Sequence, residues 1–375
     1  MNRKQFLMLV ITLVVLGGAG LGLFWQDISA YRASGAKIGA KLLPGLKPSE
    51  VAQIRLQDAK SQVTLVKKNN AWLVRERGDY PANVQDIGDL LIKLVELKVV
   101  QSETVGESLL PRLDLAAPGQ RDKGSGTLIE FRDAAGKPLT SLILGKIILK
   151  KDPLNPLPTA QNGVPAGRYV LVRSSGDTVI GVSDPLEGAK AEPGKWLEKD
   201  FFKVDRIKTL TVAGEGPTPW KITRDVEYGP WKFASGGGEL DASAAVSAVN
   251  ALGGLGFSDV VVDPKPEDTE KPVTVTAQTF DNLTYTLKIA GKKTGEEYYV
   301  KFTVSGEPSK RRTPEKGEKP EEKAGLDKEF AASLKKLESR IASEKARAKW
   351  TYAVLAKSLS PLTKDRAQLV AAKKK

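Results

Sequence analysis

The chain has 375 residues, a net charge of +13, 41% hydrophobic residues, and neither cysteine nor histidine. Those two absences exclude disulfides, thiol nucleophiles and thiolate metal sites, together with the commonest general base and metal ligand. Any catalysis would have to run on Asp, Glu, Lys, Ser or Tyr.

In chain order, residues 6–25 come first: FLMLVITLVVLGGAGLGLFW, without a charge. At about 1.5 Å per helical residue this run matches a hydrocarbon core of about 30 Å. Arg3 and Lys4 precede it and Asp27 is the first charge after it. The positive-inside rule therefore predicts a single-pass membrane protein, N-terminus cytoplasmic and bulk of the chain outside the cytoplasm. Phe24, Trp25 and Tyr31 suit the outer interface. A cleaved signal peptide is the rival reading, with small residues at Ser29-Ala30 and Gly35-Ala36, but signal cores are usually shorter than this run. Gly18 and Gly22 form a small-xxx-small face for membrane-helix packing, unless they reflect only the general frequency of glycine in such helices. With this topology the basic balance points to an anionic bilayer or cell-wall polymer, or to solubility alone, and not to nucleic acid.

After a linker the first folded block opens with alternation at Ile54 and Leu56, a strand with one buried face. Residues 61–67 and 71–75 read as a hairpin turning at Lys68-Asn69-Asn70, with Trp72 and Val74 on one face. Asn83 is positioned to cap a helix whose stripe is Ile87, Leu90, Leu91, Leu94 and Leu97. Residues 106–126 are loop-rich, with a helical turn at 109–115. Strands follow at 127–132, 139–144, 169–173 and 178–182, and the Pro- and Gly-rich residues 151–167 read as an exposed excursion.

The second half retraces this order. Residues 204–212 alternate, and Trp231-Lys-Phe233 stands where Trp72-Leu-Val74 stood. Asp241 caps a helix striped by Ala245, Ala248, Val249, Leu252 and Leu255, and strands follow at 273–280, 284–290 and 298–302. The order of strands, cap and stripe repeats with a period near 150 residues, which predicts an internal duplication with Trp72, Leu90, Leu94, Trp231, Leu252 and Leu255 in the repeat cores. Residues 307–323 are low in complexity. Leu326, Phe330, Leu334, Leu337 and Ile341 then make a narrow apolar stripe, read either as a partner-binding helix or as one lying back on its own domain. Residues 350–354 alternate as a strand and 359–370 form a candidate last helix, so the charged segment looks inserted between two strands of one sheet.

Several of these stretches also carry a family likeness. Lys47-Pro-Ser-Glu-Val51 with Ile54, Ala71-Trp72-Leu-Val74, Tyr80-Pro-Ala82 before the Leu-rich helix, and Trp350-Thr-Tyr352 with Leu362-Thr-Lys-Asp365-Arg366 and Leu369 resemble a bacterial domain-of-unknown-function family. That family is described as an auxiliary component of gliding-motility-type ABC transport systems. The resemblance covers nearly all of the ectodomain, includes the N-terminal anchor, and rests on the order of weak fold signatures. It implies an ABC ATPase, a multi-span permease and a companion extracytoplasmic subunit as partners, and carries over no catalytic residue. The insertion at 307–349 departs from the pattern.

No phosphate cradle of the form GxxxxGK[ST] is present: Gly136-Lys137, Gly145-Lys146, Gly194-Lys195 and Gly291-Lys292 lack the upstream glycine or the following hydroxyl. Glu296-Glu297 and Glu321-Glu322 are poor glycosidase carboxylates, because adjacent acids on a strand face opposite ways and those in a linker are solvated. No cofactor, metal or catalytic site is expected. The expected fold is α+β: a transmembrane helix followed by a duplicated antiparallel-sheet-plus-helix ectodomain. Its divisions are a cytoplasmic tip (1–5), the membrane helix (6–25), a linker (26–46), two repeats (47–200 and 201–306), the inserted linker and helix (307–349), and a closing strand, helix and basic tail (350–375). The expected function is a non-enzymatic, membrane-anchored accessory subunit that scaffolds an ABC transporter or presents substrate to it. The alternative is an envelope-anchored binding module for cell-wall or surface polysaccharide.

Overall fold

The computed structural model describes residues 37–119, 123–150, 163–172, 178–215, 217–265, 269–292, 295–314 and 318–372. The apolar run at 6–25, with Gly18 and Gly22, lies outside them, as do residues 151–162 and the tail 373–375. No helix among the described residues is long and apolar enough to cross a membrane. The chain divides into two compact units, Met1–Glu198 and Lys199–Lys375, and its architecture is α+β with two antiparallel sheets.

The first unit contains β1 (Gln53–Gln57), β2 (Gln62–Lys68), β3 (Ala71–Val74), β4 (Tyr80–Pro81), helix α1 (Val84–Glu96), β5 (Val99–Thr104), β6 (Thr127–Arg132), β7 (Pro138–Lys150), β8 (Val164–Val172) and β9 (Thr178–Val182). Its nine strands lie in the order β4-β3-β2-β1-β6-β7-β8-β9-β5. Register follows from the alternation: Ile54 pairs with Leu65 and Phe131, and Leu56 with Val63 and Ile129, all fully buried. Asn69 and Asn70 turn the β2-β3 hairpin with φ of 49° and 63°, the left-handed pair that matches strand twist.

This sheet is covered on both faces, which explains the consecutive buried residues Leu142, Ile143 and Leu144 of β7. Leu128, Ile143, Leu171 and Val179 point away from the face of Ile129 and Leu142, and form a second core with Leu115 and the 3-10 turn Glu107–Leu113. Gly145 permits that cover: a Cβ there would meet the Leu113 carbonyl oxygen at 2.3 Å.

The second unit contains β10 (Ile207–Gly214), β11 (Trp220–Thr223), β12 (Lys232–Phe233), α2 (Ala242–Gly253), β13 (Asp259–Val261), β14 (Thr269–Thr279), β15 (Leu283–Lys292), β16 (Glu297–Gly306), α3 (Pro320–Arg347), β17 (Thr351–Leu355) and α4 (Ala356–Leu359). The strand order is β12-β11-β10-β14-β15-β16-β17-β13. Without β4, the first sheet has the same order strand for strand. In each unit a capped helix leads to a short strand at the far edge, paired with the last strand of the unit. Asn83 Oδ1 accepts from the backbone N–H of Gln85 and Asp86, and Asp241 Oδ1 from that of Ala244.

A closing segment follows the last strand in both units, and we call it the strap: residues 183–197 and 356–370. The two align without a gap, pairing the buried residues Leu186 with Leu359, Ala189 with Leu362 and Trp196 with Leu369. The same backbone bond ends each: Asn83 N–H donates to the Trp196 carbonyl and Asp241 N–H to that of Leu369, both at 2.8 Å, beside the bridges Ala82–Leu197 and Leu240–Val370.

Three local expectations differ from the structure, and the edge strands β5 and β13 fall where the sequence pattern assigns no element. Residues 164–167, expected in the exposed excursion, instead begin β8 and pair with residues 148–150 of β7. The helix expected at 359–370 is instead α4 and two 3-10 turns, Ser360–Leu362 and Arg366–Leu369. Pro361 lacks the N–H a continuous helix needs, and Asp365 with Gln368 forms a capping box that starts the second turn afresh. Helix α3 starts at Pro320, inside the low-complexity stretch, where a first-turn proline and Glu321 and Glu322 suit a helix N-terminus.

Candidate functional site

A concavity of ligand size belongs to the first unit. Helix α1 and the strap enclose a cleft of about 570 Å³, in the size range of small-ligand sites. Its floor is apolar: Trp196 (2% exposed), Leu90, Leu186 and Ala189 are buried. Five charged side chains line the rim, Asp86, Asp89 and Lys93 from α1 and Lys190 and Lys195 from the strap.

Local chemistry fixes this shape. The Trp196 indole N–H donates to the Lys190 carbonyl at 2.7 Å, closing the strap on itself. At the strap's start, Arg168 of β8 donates through Nε to the Gly145 carbonyl (2.7 Å) and through Nη1 to that of Pro185 (3.3 Å). Burial lowers the Arg168 pKa from its ordinary value, since desolvation disfavours the charged form. On the rim, Lys93 lies 4.0 Å from Asp184 and Asp89 accepts from Gln85. Asp86, Lys190 and Lys195 form no ion pair among the described residues.

A second polar cluster sits in the other unit and has a different character. Glu344 of α3 is 1% exposed. Its carboxylate accepts from the Tyr285 hydroxyl (2.8 Å) and the Lys203 backbone N–H (3.2 Å), and lies 3.6 Å from Arg340 Nε. Arg340 in turn pairs with Asp205 at 2.9 Å. Burial and the Glu344 carboxylate raise the Tyr285 pKa well above its ordinary value. Next to it Phe201, Phe202, Phe257, Phe302 and Tyr352 form an aromatic core. These groups hold the C-terminal end of α3 to the sheet, so the cluster is an anchor.

Of the residues singled out from the sequence, Trp72, Leu90, Leu94, Leu252 and Leu255 are buried. Trp231 is not in a core. It precedes the two-residue β12 and stays partly exposed, with the Arg224 guanidinium stacked 4.8 Å from its ring, while Trp220 of β11 is the buried indole of that sheet edge. Along α3, Ile341 is buried, Phe330, Leu334 and Leu337 are half-buried and Leu326 is exposed, so burial fades toward the N-terminus. Arg312 bonds to Glu318 and Asp327, tying the preceding segment to that end of the helix. Sequence periodicity did not reveal the cleft, because one wall is the irregular strap. The aligned spacing of Leu186, Ala189 and Trp196 with Leu359, Leu362 and Leu369 was the signal that could have found it.

Among the described residues, no group of three or more acidic side chains is placed to hold a metal ion. An apolar floor with charges of both signs on its rim equips the cleft for noncovalent recognition. Comparison with family models, curated proteins and solved structures finds no match for this chain.

Proposed function

We propose that this chain is a single-pass protein of the bacterial inner membrane whose periplasmic part is an internally duplicated α+β adaptor. It acts without enzymatic chemistry of its own, as an accessory subunit that scaffolds an ABC transporter of the gliding-motility type or presents substrate to it. Its partners are the permease, the ATPase and a companion extracytoplasmic subunit. The supporting observation is the combination of the uncharged run at 6–25 with two units that share one strand order, one capped-helix position and one strap closure. Duplication is the simplest origin of that agreement. Gly18 and Gly22 would pack the membrane helix against the permease. Affinity capture of the tagged chain from detergent-solubilised membranes should recover permease and ATPase subunits; capture of the chain alone overturns the reading.

A second reading, the binding module for cell-wall or surface polysaccharide, is favoured by an exposed aromatic and cationic patch on the second unit. Arg224 lies between Trp231 and Phe280, at 4.8 and 5.6 Å from their rings, near the solvent-exposed Tyr228. Aromatic planes suit sugar rings and guanidinium groups suit acidic substituents. Salt-sensitive retention on peptidoglycan that is lost in Trp231→Ala supports this alternative, and indifference to that substitution removes it.

A further inference from the structure

We propose that the cleft between α1 and the strap of the first unit binds a short zwitterionic peptide with an apolar side chain. The proposal goes beyond the adaptor role and does not depend on which transporter the chain serves.

The argument comes from comparing the two units position by position. The capped helices align from Asn83 and Asp241, and the straps from Ser183 and Ala356. In this alignment the rim residues Asp86, Asp89, Lys93, Lys190 and Lys195 correspond to Ala244, Ser247, Ala251, Thr363 and Gln368. All five charges of the cleft are therefore confined to the first unit. The floor differs in the same direction. In the second unit Leu362, fully buried, stands where the first has Ala189, and its turn packs against a helix thinned to Ala245 and Ala248. The first unit keeps bulk on the helix, at Ile87 and Leu90, and a small residue on the strap. One unit thus fills the helix-strap junction with its own leucine, and the other leaves it open and surrounds it with charge.

The ligand chemistry follows from that surround. Trp196, Leu90 and Leu186 offer an apolar surface for a branched side chain. Asp86 and Asp89 suit a terminal ammonium group, and Lys190 and Lys195 a terminal carboxylate. Asp86, Lys190 and Lys195 are not engaged in ion pairs elsewhere among the described residues. Carrying both signs, the rim would disfavour a purely anionic or purely cationic ligand through like-charge contacts.

The test is calorimetric titration of the full chain in detergent with Ala-Leu-Ala bearing free termini. Saturable binding to one site is expected, weakened about fivefold by N-acetylation and about fivefold by C-terminal amidation. Lys190→Gln with Lys195→Gln should bind the free-acid and amide peptides equally, and Asp86→Asn with Asp89→Asn should do the same for the free and acetylated forms. Ala189→Leu, which installs the residue tolerated at this place in the second unit, should abolish binding with the thermal midpoint retained. Absence of binding at millimolar peptide, indifference to both caps, or full binding by Ala189→Leu overturns the proposal. The lysine pair is exposed and outside every core, so that arm decides the matter even if Ala189→Leu fails to fold.

Discussion

Glu344 shows how one side chain can hold an element. A carboxylate out of water needs partners for its charge, and here the Tyr285 hydroxyl, the Lys203 amide and Arg340 supply them. Glu344→Ala leaves a buried hydroxyl and an amide short of their acceptor and removes a counter-charge 3.6 Å from Arg340, and should destabilise the second unit by about 3–5 kcal/mol in urea titration. Tyr285→Phe removes only one donor and should be milder, about 1–2 kcal/mol. Tyr285 also gives a pH signature. Its folded pKa lies above the unfolded value of about 10, so its contribution is complete below that pH and is lost as pH rises toward the folded value. Alkaline denaturation above about pH 10 should therefore steepen in the parent relative to Tyr285→Phe. None of this was legible beforehand, because Glu344 follows Ile341 by three residues, falls on the stripe's own face, and reads as one more charge among the lysines and glutamates of α3. Trp231 makes the opposite point: a large aromatic in the right order went to the surface, since a two-residue strand offers it no covered face.

Elements carried by local chemistry could be read from the chain. The Asn69-Asn70 turn, the caps Asn83 and Asp241, and the stripes behind them are each set within a few residues, and the structure has them where alternation and capping put them. Asn83→Ala should cost about 1 kcal/mol of helix-linked stability, measurable by circular dichroism melting. Edge strands and straps were not legible, because they are specified by what they touch. β5 takes its place from β9, and the strap from the backbone bond between Asn83 and Trp196. Asp365 has the same dependence, since it starts a 3-10 turn and also accepts from the Thr218 amide at 2.7 Å, far away in sequence. Asp365→Ala should therefore exceed a simple cap deletion, at roughly 2 kcal/mol, in the same melting assay.

For the whole molecule, the order of strands was visible as a repeat, while the division at Glu198 and Lys199, the gap-free match of the straps and the open cleft emerged only with the fold. The proposed anchor makes its own prediction: the chain should resist carbonate extraction from membranes, and Leu13→Asp with Val15→Asp should release it.

One feature separates the units in time as well as in space. β8 and β9 are neighbours across residues 173–177, whereas their counterparts β16 and β17 pair across residues 307–350, with α3 in between. A connection about ninefold longer adds about 2 kcal/mol to the entropy of closing that pair. Where this closure limits the rate, the second sheet should complete itself more slowly during refolding, by roughly 25-fold if the whole difference falls on the barrier. Until β17 arrives, β16 carries an open hydrogen-bonding edge, the exposure that invites association between immature chains. Replacing residues 309–333, the low-complexity stretch and the poorly buried start of α3, with a short glycine-rich linker that keeps Arg340, Ile341 and Glu344 should accelerate the slow refolding phase in stopped-flow fluorescence and reduce aggregation during recovery from denaturant.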